Sequence, residues 1–293
     1  MPSLRSDPLR IALATDAEFP DLFFDDEPLL AALVARGVEA VPAVWDAERD
    51  WAAYDLVVVR STWDYTERVG EYLAWARSVP RLANPARVLE WNTDKTYLRR
   101  FAEAGVPVVP TRWASAPSSL ADVAAGWDDV VVKPNVSAGA RDTIRCASGS
   151  EEGQALADAI LASGRTVMVQ PYLDSVEGYG ERSLLFFEGA FSHAVRRNPA
   201  LSSDGFTRYD AARVDPTDAE LALAARVLEE AGEPLLYARV DVVPGPDGEP
   251  VLTELEVTEP QLFLRFRPEA AEELADAVVA RAGSAGSSTT TGS

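Results

Sequence analysis

Residues 238–257 read ARVDVVPGPDGEPVLTELEV, and this stretch is the most informative part of the sequence for both fold and chemistry. Two runs of alternating residues flank a turn rich in proline and glycine, which predicts an antiparallel hairpin. Side chains alternate between the faces of a strand, so Asp241 is expected roughly opposite Glu254, with Glu256 on the same face. Three such carboxylates would repel one another unless Mg²⁺ ions joined them; a solvated hairpin face is the alternative.

Lysine is the scarcest basic residue of the chain. Of 27 basic side chains, 25 are arginine, and only Lys95 and Lys133 are lysine. A compositional bias explains the low count, but the compact charge of a lysine suits contact with a phosphate oxygen. Thr93 predicts the N-cap of a helix over about 94–104, with Lys95 in its first turn. A cation there is disfavoured unless an anion lies nearby.

Lys133 ends a predicted strand and precedes a loop of small residues, Pro134–Arg141. The backbone N–H groups of such a loop, together with the Ser137 hydroxyl, can approach a phosphate. The spacing matches neither a P-loop nor G-x-G-x-x-G, so a plain hairpin loop is the alternative.

The order of the predicted elements divides the chain into three lobes. Residues 1–110 alternate apolar strands and helices, which predicts an open α/β sheet with parallel pairs. Residues 111–173 are predicted as a small lid lobe, and residues 174–282, with two hairpins, as an antiparallel lobe that carries the metal site. Residues 283–293 (GSAGSSTTTGS) predict a disordered tail. The fold class is therefore α/β (α+β).

A candidate substrate loop follows the third predicted strand of the first lobe. Ligands of open α/β sheets bind beyond the carboxyl ends of the strands. Ser61, Thr62, Trp63 and Asp64 occupy that position and are the candidate substrate contacts. A turn with an exposed aromatic pair, Trp63 and Tyr65, is the alternative.

The composition excludes several classes of protein. The 293 residues are 47% hydrophobic and 25% charged, with a net charge of −20, which is typical of a globular chain and opposes binding to nucleic acid or to an anionic membrane. The single cysteine, Cys146, and the single histidine, His193, argue against a disulfide and a zinc site. His193 lies inside a predicted strand and is expected to be structural. With no signal peptide and no membrane-spanning run, a cytoplasmic location is expected.

The order of these motifs resembles the ATP-grasp superfamily. The segments WNTDK, VVKPNVSAGARDT, VQPYL, GERSLLFF, ARVDVV and TELEV occur in the order typical of its glutathione-synthetase-like branch. The resemblance covers roughly residues 9–281. It implies a three-lobed fold with ATP clamped between the second and third lobes, and ATP and two Mg²⁺ ions as cofactors.

The resemblance also implies a role for each candidate residue. The implied ATP-binding residues are Lys95 and Lys133 for the phosphates, Ser137 and Gly139 in a closing loop, Gln170, Tyr172 and Leu173 in the adenine hinge, and Glu181, with Glu177 second, for the ribose. Asp241, Glu254 and Glu256 are implied as Mg²⁺ ligands, although many of these enzymes have asparagine at the position of Glu256. Arg197 and Arg239 are implied as catalytic residues that stabilise the transferred phosphoryl group or the later tetrahedral intermediate.

The implied reaction joins a carboxylate to an amine. ATP phosphorylates the carboxylate of an amino-acid-like small molecule, and an amine then displaces phosphate from the acyl phosphate. The segments RSTWDY and EWNTDK resemble the O-ureidoserine cyclases of cycloserine biosynthesis, which implies ring closure within one molecule. Arg208 and Arg213 are candidates for a substrate carboxylate, in a stretch that departs from the glycine-rich arginine loop of these relatives. Dimers are common in this branch, so a homodimer is the oligomer that the resemblance implies.

Other functions remain open from the sequence. An intermolecular amino acid or peptide ligase would use the same residues with a separate amine, and a regulatory module on this fold would bind ATP without turnover. The complete set of lysines and carboxylates favours an enzyme. A nicotinamide dehydrogenase is disfavoured, because no G-x-G-x-x-G follows the opening strand.

Overall fold

A computed structural model describes residues 7–198 and 211–285 of the chain. The first lobe is made of β1 (Arg10–Thr15), α1 (Glu27–Ala35), β2 (Glu39–Val44), β3 (Leu56–Val59), α2 (Val69–Ser78) and β4 (Leu82–Ala83). Its strands form a sheet of order β2-β1-β3-β4, and the pairs are parallel, as predicted. Helix α1 ends where Gly37 adopts a φ of +75°, a conformation that glycine reaches without a steric penalty.

Two short helices follow the first sheet, α3 (Ala86–Asn92) and α4 (Tyr97–Glu103). The prediction of one helix capped by Thr93 is wrong, because Thr93 is the C-cap of α3 and Lys95 lies in the link between the helices. Contacts from a distant loop hold this link open. The Lys95 amide donates to Asn135 O (2.8 Å), and the Asn135 side chain donates to Asp94 (2.8 Å).

The second lobe is a small antiparallel sheet covered by helices. It contains β5 (Arg112–Ala114), α5 (Leu120–Val123), β6 (Asp129–Pro134), β7 (Ile144–Ala147), α6 (Glu151–Ala162) and β8 (Val167–Pro171). The strand order is β5-β8-β6-β7. The lobe has a core of its own, in which Val130 and Val132 of β6 pack with Ile160 of α6 and Val169 of β8.

The third lobe is a five-stranded antiparallel sheet of order β11-β10-β9-β12-β13. The lobe contains α7 (Ser175–Tyr179), β9 (Glu181–Phe187), β10 (Ala190–Arg197), β11 (Ala211–Val214), α8 (Asp218–Ala231), β12 (Tyr237–Pro244), β13 (Pro250–Glu256) and α9 (Pro268–Ala285). The first hairpin predicted for this lobe is present, and its turn at Glu188 and Gly189 has φ of +49° and +76°, the two positive values that a tight hairpin turn needs. Helix α8 begins with a capping box between Thr217 and Glu220.

The predicted disordered tail is wrong for its first three residues. Residues 283–285 extend α9, and the rest of that tail lies outside the described residues. No helix in the described part of the chain is long and apolar enough to cross a membrane.

The first and third lobes share one hydrophobic core. Ile11 and Val58 of the first sheet pack in the same cluster as Leu185 of β9 and Leu274 of α9. Helices α3 and α4 pack against the third lobe as well, since Leu98 and its neighbours share a cluster with the residues of α8, β12 and β13. The first sheet therefore ends near residue 84, and residues 86–103 connect it to the other lobes.

Two buried polar side chains fix this junction. Asn84 donates to the carbonyls of Tyr237 (2.9 Å) and Val257 (2.7 Å), and its own carbonyl accepts from Leu236 N (2.7 Å). Arg60, at the end of β3, pairs with Asp26 (2.9 Å) and donates to Pro260 O (2.7 Å). The first lobe thereby positions the segment that follows β13.

Candidate active site

The three lobes surround a cavity of about 670 Å³. Both lysines line it. Lys95 Nζ donates to Ser137 O (2.6 Å) and lies 3.1 Å from Glu254 Oε1, whereas Lys133 Nζ has no hydrogen-bond or ion-pair partner among the described residues. Desolvation lowers the pKa of Lys133, and the charge of Lys95 lowers it further, whereas the charge of Glu254 acts in the opposite direction. The site therefore contains an ammonium group available to an anionic ligand.

The loop between β6 and β7 forms part of the cavity wall. Ser137 and Gly139 both line it, as the phosphate interpretation requires. Gly139 and the next residue, Ala140, have φ of +61° and +58°. The loop is anchored at one end by the contacts between Asn135 and the 93–96 link, and Lys95 holds its Ser137 carbonyl.

The hinge after β8 lines the cavity at its far end, through Gln170, Tyr172 and Leu173. The Gln170 amide donates to the Thr111 hydroxyl (2.8 Å), and the Tyr172 N–H donates to Asp129 O (2.9 Å). Of the two hinge N–H groups, that of Leu173 is thus the one left for an adenine ring, within the described part of the chain.

The two candidate ribose carboxylates occupy different places. Glu181 lines the cavity and is held by Arg197 (2.7 Å) and the Thr253 hydroxyl (2.7 Å). Glu177 is not among the residues that line it and accepts from Arg145 (2.8 Å) and the Tyr172 hydroxyl. The geometry favours Glu181.

The carboxylate hairpin has the predicted register, with Asp241 opposite Glu254, and all three carboxylates line the cavity. Each is paired with a cation of the protein. Asp241 accepts from Arg197 (2.7 Å) and Arg239 (2.9 Å), and Arg239 also donates to Glu256. Accordingly, the described residues contain no cluster of three or more acidic, His or Cys side chains already arranged to hold a metal.

The pKa values of two carboxylates of this hairpin are shifted in opposite directions. Burial opposes ionisation of Asp241, but the guanidinium groups of Arg197 and Arg239 hold its pKa below the usual value. Burial raises the pKa of Glu256 to about 8, and the charges of Glu254 and Asp241 add to the shift against the effect of Arg239. Carboxylate oxygens are the donors that Mg²⁺ prefers, so the donor set fits this ion although its present pairing is with arginine and lysine.

The predicted substrate loop, residues 61–65, contributes Trp63 and Tyr65 to the cavity wall. Ser61 and Thr62 are fully buried and turn inward, where they bond Asp26 (3.3 Å) and Tyr72 (3.1 Å). Asp64 is held by the Trp45 indole (2.8 Å) and by Arg68. The three polar candidates of the loop therefore stabilise the loop itself and do not line the cavity.

The two further substrate candidates are not part of the cavity wall that the structure describes. Arg213 lies exposed on β11, paired opposite Val195. Arg208 lies outside the described residues.

Several wall residues were missed by the sequence analysis: Phe23, Tyr65, Asn92, Glu259 and Gln261. Tyr65 is the last residue of the predicted loop, but it was not among the candidate substrate contacts. Glu259 and Gln261 follow β13 in an irregular segment interrupted by Pro260, where no periodic pattern signals which side chains face a ligand.

The fold and the cavity define an ATP-dependent ligase, and comparison with known proteins supports this class. Residues 94–267 match the family model described as prokaryotic glutathione synthetase, ATP-grasp domain, so the chain belongs to the ATP-grasp family. Residues 11–84 match the model of the D-cycloserine synthetase DcsG N-terminal domain. The chain is thus an ATP-grasp ligase of a family that uses ATP and Mg²⁺.

Individual relatives cover most of the chain. Cycloserine biosynthesis protein DcsG of Streptomyces lavendulae is 35% identical, over 92% of this chain and 98% of the relative. The crystal structure of D-cycloserine synthetase DcsG superimposes with a TM-score of 0.86 at 33% identity, over 93% of this chain and 99% of that one. Glutathione synthetase of Prochlorococcus marinus is 30% identical, over 71% of this chain and 66% of the relative.

Proposed function

We propose that this ligase activates the carboxylate of an amino-acid-like small molecule as an acyl phosphate and closes a ring with a nitrogen of the same molecule, as in the cyclisation of O-ureidoserine to cycloserine. The observation that carries the proposal is the joint arrangement of two lysines and three carboxylates around one cavity, in a chain similar over 92% of its length to a cycloserine biosynthesis protein. The proposal places the chain in antibiotic biosynthesis.

The nucleotide is assigned to the side of the cavity between the second and third lobes. Lys133, whose ammonium has no partner among the described residues, and Lys95 are proposed to contact the phosphates. Ser137 and Gly139 would cover the phosphates, and the Leu173 N–H would meet adenine. Gln170 and Tyr172 complete the hinge, and Glu181 is proposed for the ribose, in preference to Glu177.

Mg²⁺, two ions in this proposal, would be held by Asp241, Glu254 and Glu256 and would neutralise charge on the phosphates when bound. For that, the carboxylates would exchange their present partners, Lys95, Arg197 and Arg239, for the metal, and these cations would then be available to the phosphates.

The chemistry needs no nucleophile from the protein. A substrate carboxylate oxygen forms a bond to the γ-phosphorus while the bond to ADP breaks, and the nitrogen then attacks the acyl carbon and releases phosphate. For O-ureidoserine the ring still carries the carbamoyl group on that nitrogen, and water must remove it as carbon dioxide and ammonia to give cycloserine. Arg197 and Arg239 are proposed to stabilise the negative charge on the transferred phosphoryl group and on the tetrahedral intermediate. A closed loop over the site would protect the acyl phosphate from water.

The remaining parts of the proposal concern the surroundings of the enzyme. Its net charge of −20 disfavours nucleic acid and anionic membranes as partners. The proposed partner is a small-molecule substrate, and the proposed location is the cytoplasm. The homodimer implied by the family resemblance and the division at residues 110 and 173 stay predictions.

The test is phosphate release by the purified protein with ATP and Mg²⁺ across amino acids, dipeptides and O-ureidoserine. Release with O-ureidoserine alone, accompanied by formation of cycloserine, is expected. Release that requires a carboxylate and a separate amine would replace the cyclase by an intermolecular ligase, and ATP binding without release would favour a regulatory module.

Variants at two cations sharpen this test. Lys133→Met removes the proposed phosphate contact and should lower kcat/KM by about 100- to 1,000-fold. Arg77→Met removes an exposed positive charge on α2, far from the cavity wall, and should leave the rate unchanged.

A further inference from the structure

The segment that follows β13, residues 257–263, is held from several directions by buried groups. The Tyr237 hydroxyl donates to Thr258 O (2.9 Å), Arg60 donates to Pro260 O (2.7 Å), and His193 Nε2 bonds Leu262 O (3.1 Å). The backbone is therefore fixed by its carbonyl groups, while two of its side chains, Glu259 and Gln261, line the cavity. A segment built in this way presents those side chains in defined positions.

Glu259 differs from every other carboxylate on the cavity wall. The others have a lysine or arginine within salt-bridge distance: Glu181, Asp241, Glu254 and Glu256. Glu259 is only 6% exposed, and among residues 7–198 and 211–285 no lysine or arginine lies within salt-bridge distance of it, although Lys95 is close enough to act on its pKa. Burial raises its pKa to about 7, against the lowering effect of Lys95 and the Tyr65 hydroxyl. A buried carboxylate without a cation is costly, unless a ligand supplies the cation.

Aromatic residues on the same cavity wall suit an organic cation. The Tyr65 hydroxyl bonds Glu259, and Trp63, which lines the same cavity, packs against Phe23 with ring centroids 5.1 Å apart. Aromatic rings beside a carboxylate are a common environment for an ammonium group. Gln261 Nε2 is buried and has no hydrogen-bond partner in the described part of the chain, so it offers a donor to an oxygen of the same ligand.

We propose that Glu259 receives the free α-ammonium group of the substrate, with Gln261 donating to one of its oxygens. This inference rests on the proposed function, because it names what that site selects: a carboxylic acid that retains an unmodified amine. The site would reject the same acid after N-acylation or loss of the amine, because the buried carboxylate would then stay unpaired. Glu259 acts in binding and specificity and takes no part in the chemical steps.

The experiment compares O-ureidoserine with its deamino counterpart, in which hydrogen replaces the α-amine. The wild-type enzyme should prefer the amine-bearing molecule by about 10- to 100-fold in kcat/KM, the range for a lost charge-assisted hydrogen bond. Glu259→Gln should abolish most of that preference by raising the KM for O-ureidoserine, with little change in kcat or in the KM for ATP. Glu229→Gln, at an exposed glutamate of α8, is the matched control and should behave as wild type.

A merely structural role of Glu259 predicts a different pattern, in which Glu259→Gln changes kcat/KM for both molecules by the same factor. That result would overturn the inference and leave the proposed function standing.

If the wild-type protein releases no phosphate with any carboxylate, the proposed function fails. In that case the affinities of the two molecules, measured by calorimetry in the presence of Mg²⁺ and a non-hydrolysable ATP analogue, test whether Glu259 binds the ammonium group. Equal affinity for both, or binding of neither, overturns the assignment, and selective binding of the amine supports it.

Discussion

His193 is predicted to make the stability of the protein sensitive to acid. Its imidazole is 2% exposed on β10, Nε2 lies 3.1 Å from Leu262 O, and Nδ1 lies 2.9 Å from the Ser192 hydroxyl. A carbonyl only accepts, so Nε2 carries the proton and Nδ1 accepts from Ser192. That hydroxyl in turn accepts from Arg267 (2.8 Å). Protonation of Nδ1 would therefore place two cations around one hydroxyl inside the core.

The magnitude follows from the two pKa values. Burial lowers the pKa of folded His193 from 6.5 to about 4, and the charge of Arg267 adds to the shift. Because the folded pKa is the lower one, the unfolded chain binds the proton first, and stability falls as the pH drops from about 6.5 to 4. A shift of this size corresponds to about 3 kcal/mol below pH 4 and to about 2 kcal/mol at pH 5.

The assay is urea unfolding between pH 7.5 and pH 4.5, with wild type beside His193→Gln. Other buried groups also titrate in this range, so the difference between the two proteins is the quantity that isolates His193. We expect that difference to shrink by about 2 kcal/mol between pH 7.5 and pH 5. His193 is the only histidine of the chain, so its NMR titration needs no assignment. An imidazole that titrates near 6.5 in the folded protein, or parallel stability curves, would refute the reasoning.

Three further predictions concern the ribose contact and the junction of the lobes. Glu181→Gln should raise the KM for ATP about tenfold, whereas Glu177→Gln, outside the cavity wall, should change it less than about twofold; similar effects in kinetics with varied ATP would contradict the assignment to Glu181. Asn84→Ala should lower the free energy of unfolding by about 3–5 kcal/mol in urea denaturation, because three buried backbone groups lose their partner. A loss below about 1 kcal/mol would show that Asn84 does not hold the junction. Burial and the neighbouring Asp26 raise the pKa of Asp25 to about 6, so the folded state opposes its ionisation. Asp25→Asn should therefore stabilise the protein by about 1–3 kcal/mol at pH 7.5, with the gain vanishing towards pH 4; a variant less stable than wild type at pH 7.5 would contradict this.

Features set by local patterns were predictable from the sequence. Alternation along the carboxylate hairpin placed Asp241 opposite Glu254, and the pairing confirms it despite a bulge directly after Asp241. Gly37 ends α1 and the turn at Glu188 and Gly189 joins β9 to β10, and both depend on positive φ, which is a local property. The scarcity of lysine pointed to Lys95 and Lys133, and both line the cavity.

Features set by distant contacts were not predictable. The break after α3 depends on Asn135, some forty residues away, which bonds the link that contains Asp94 and Lys95. The inward turn of Ser61 depends on Asp26, a partner in another part of the first lobe. The role proposed for Glu259 depends on an irregular segment whose path is fixed by hydrogen bonds from Arg60 of the first lobe and Tyr237 of β12.

If the substrate carboxylate becomes an acyl phosphate, one of its oxygen atoms must be transferred to the released phosphate. O-ureidoserine labelled with oxygen-18 in the carboxylate is incubated with the enzyme, ATP and Mg²⁺, and the released phosphate is analysed by mass spectrometry. Each released phosphate is expected to carry one labelled oxygen, because the carboxylate oxygen that attacks the γ-phosphorus stays bonded to phosphorus when phosphate is released. Phosphate without label, released in step with product, would contradict activation of the carboxylate.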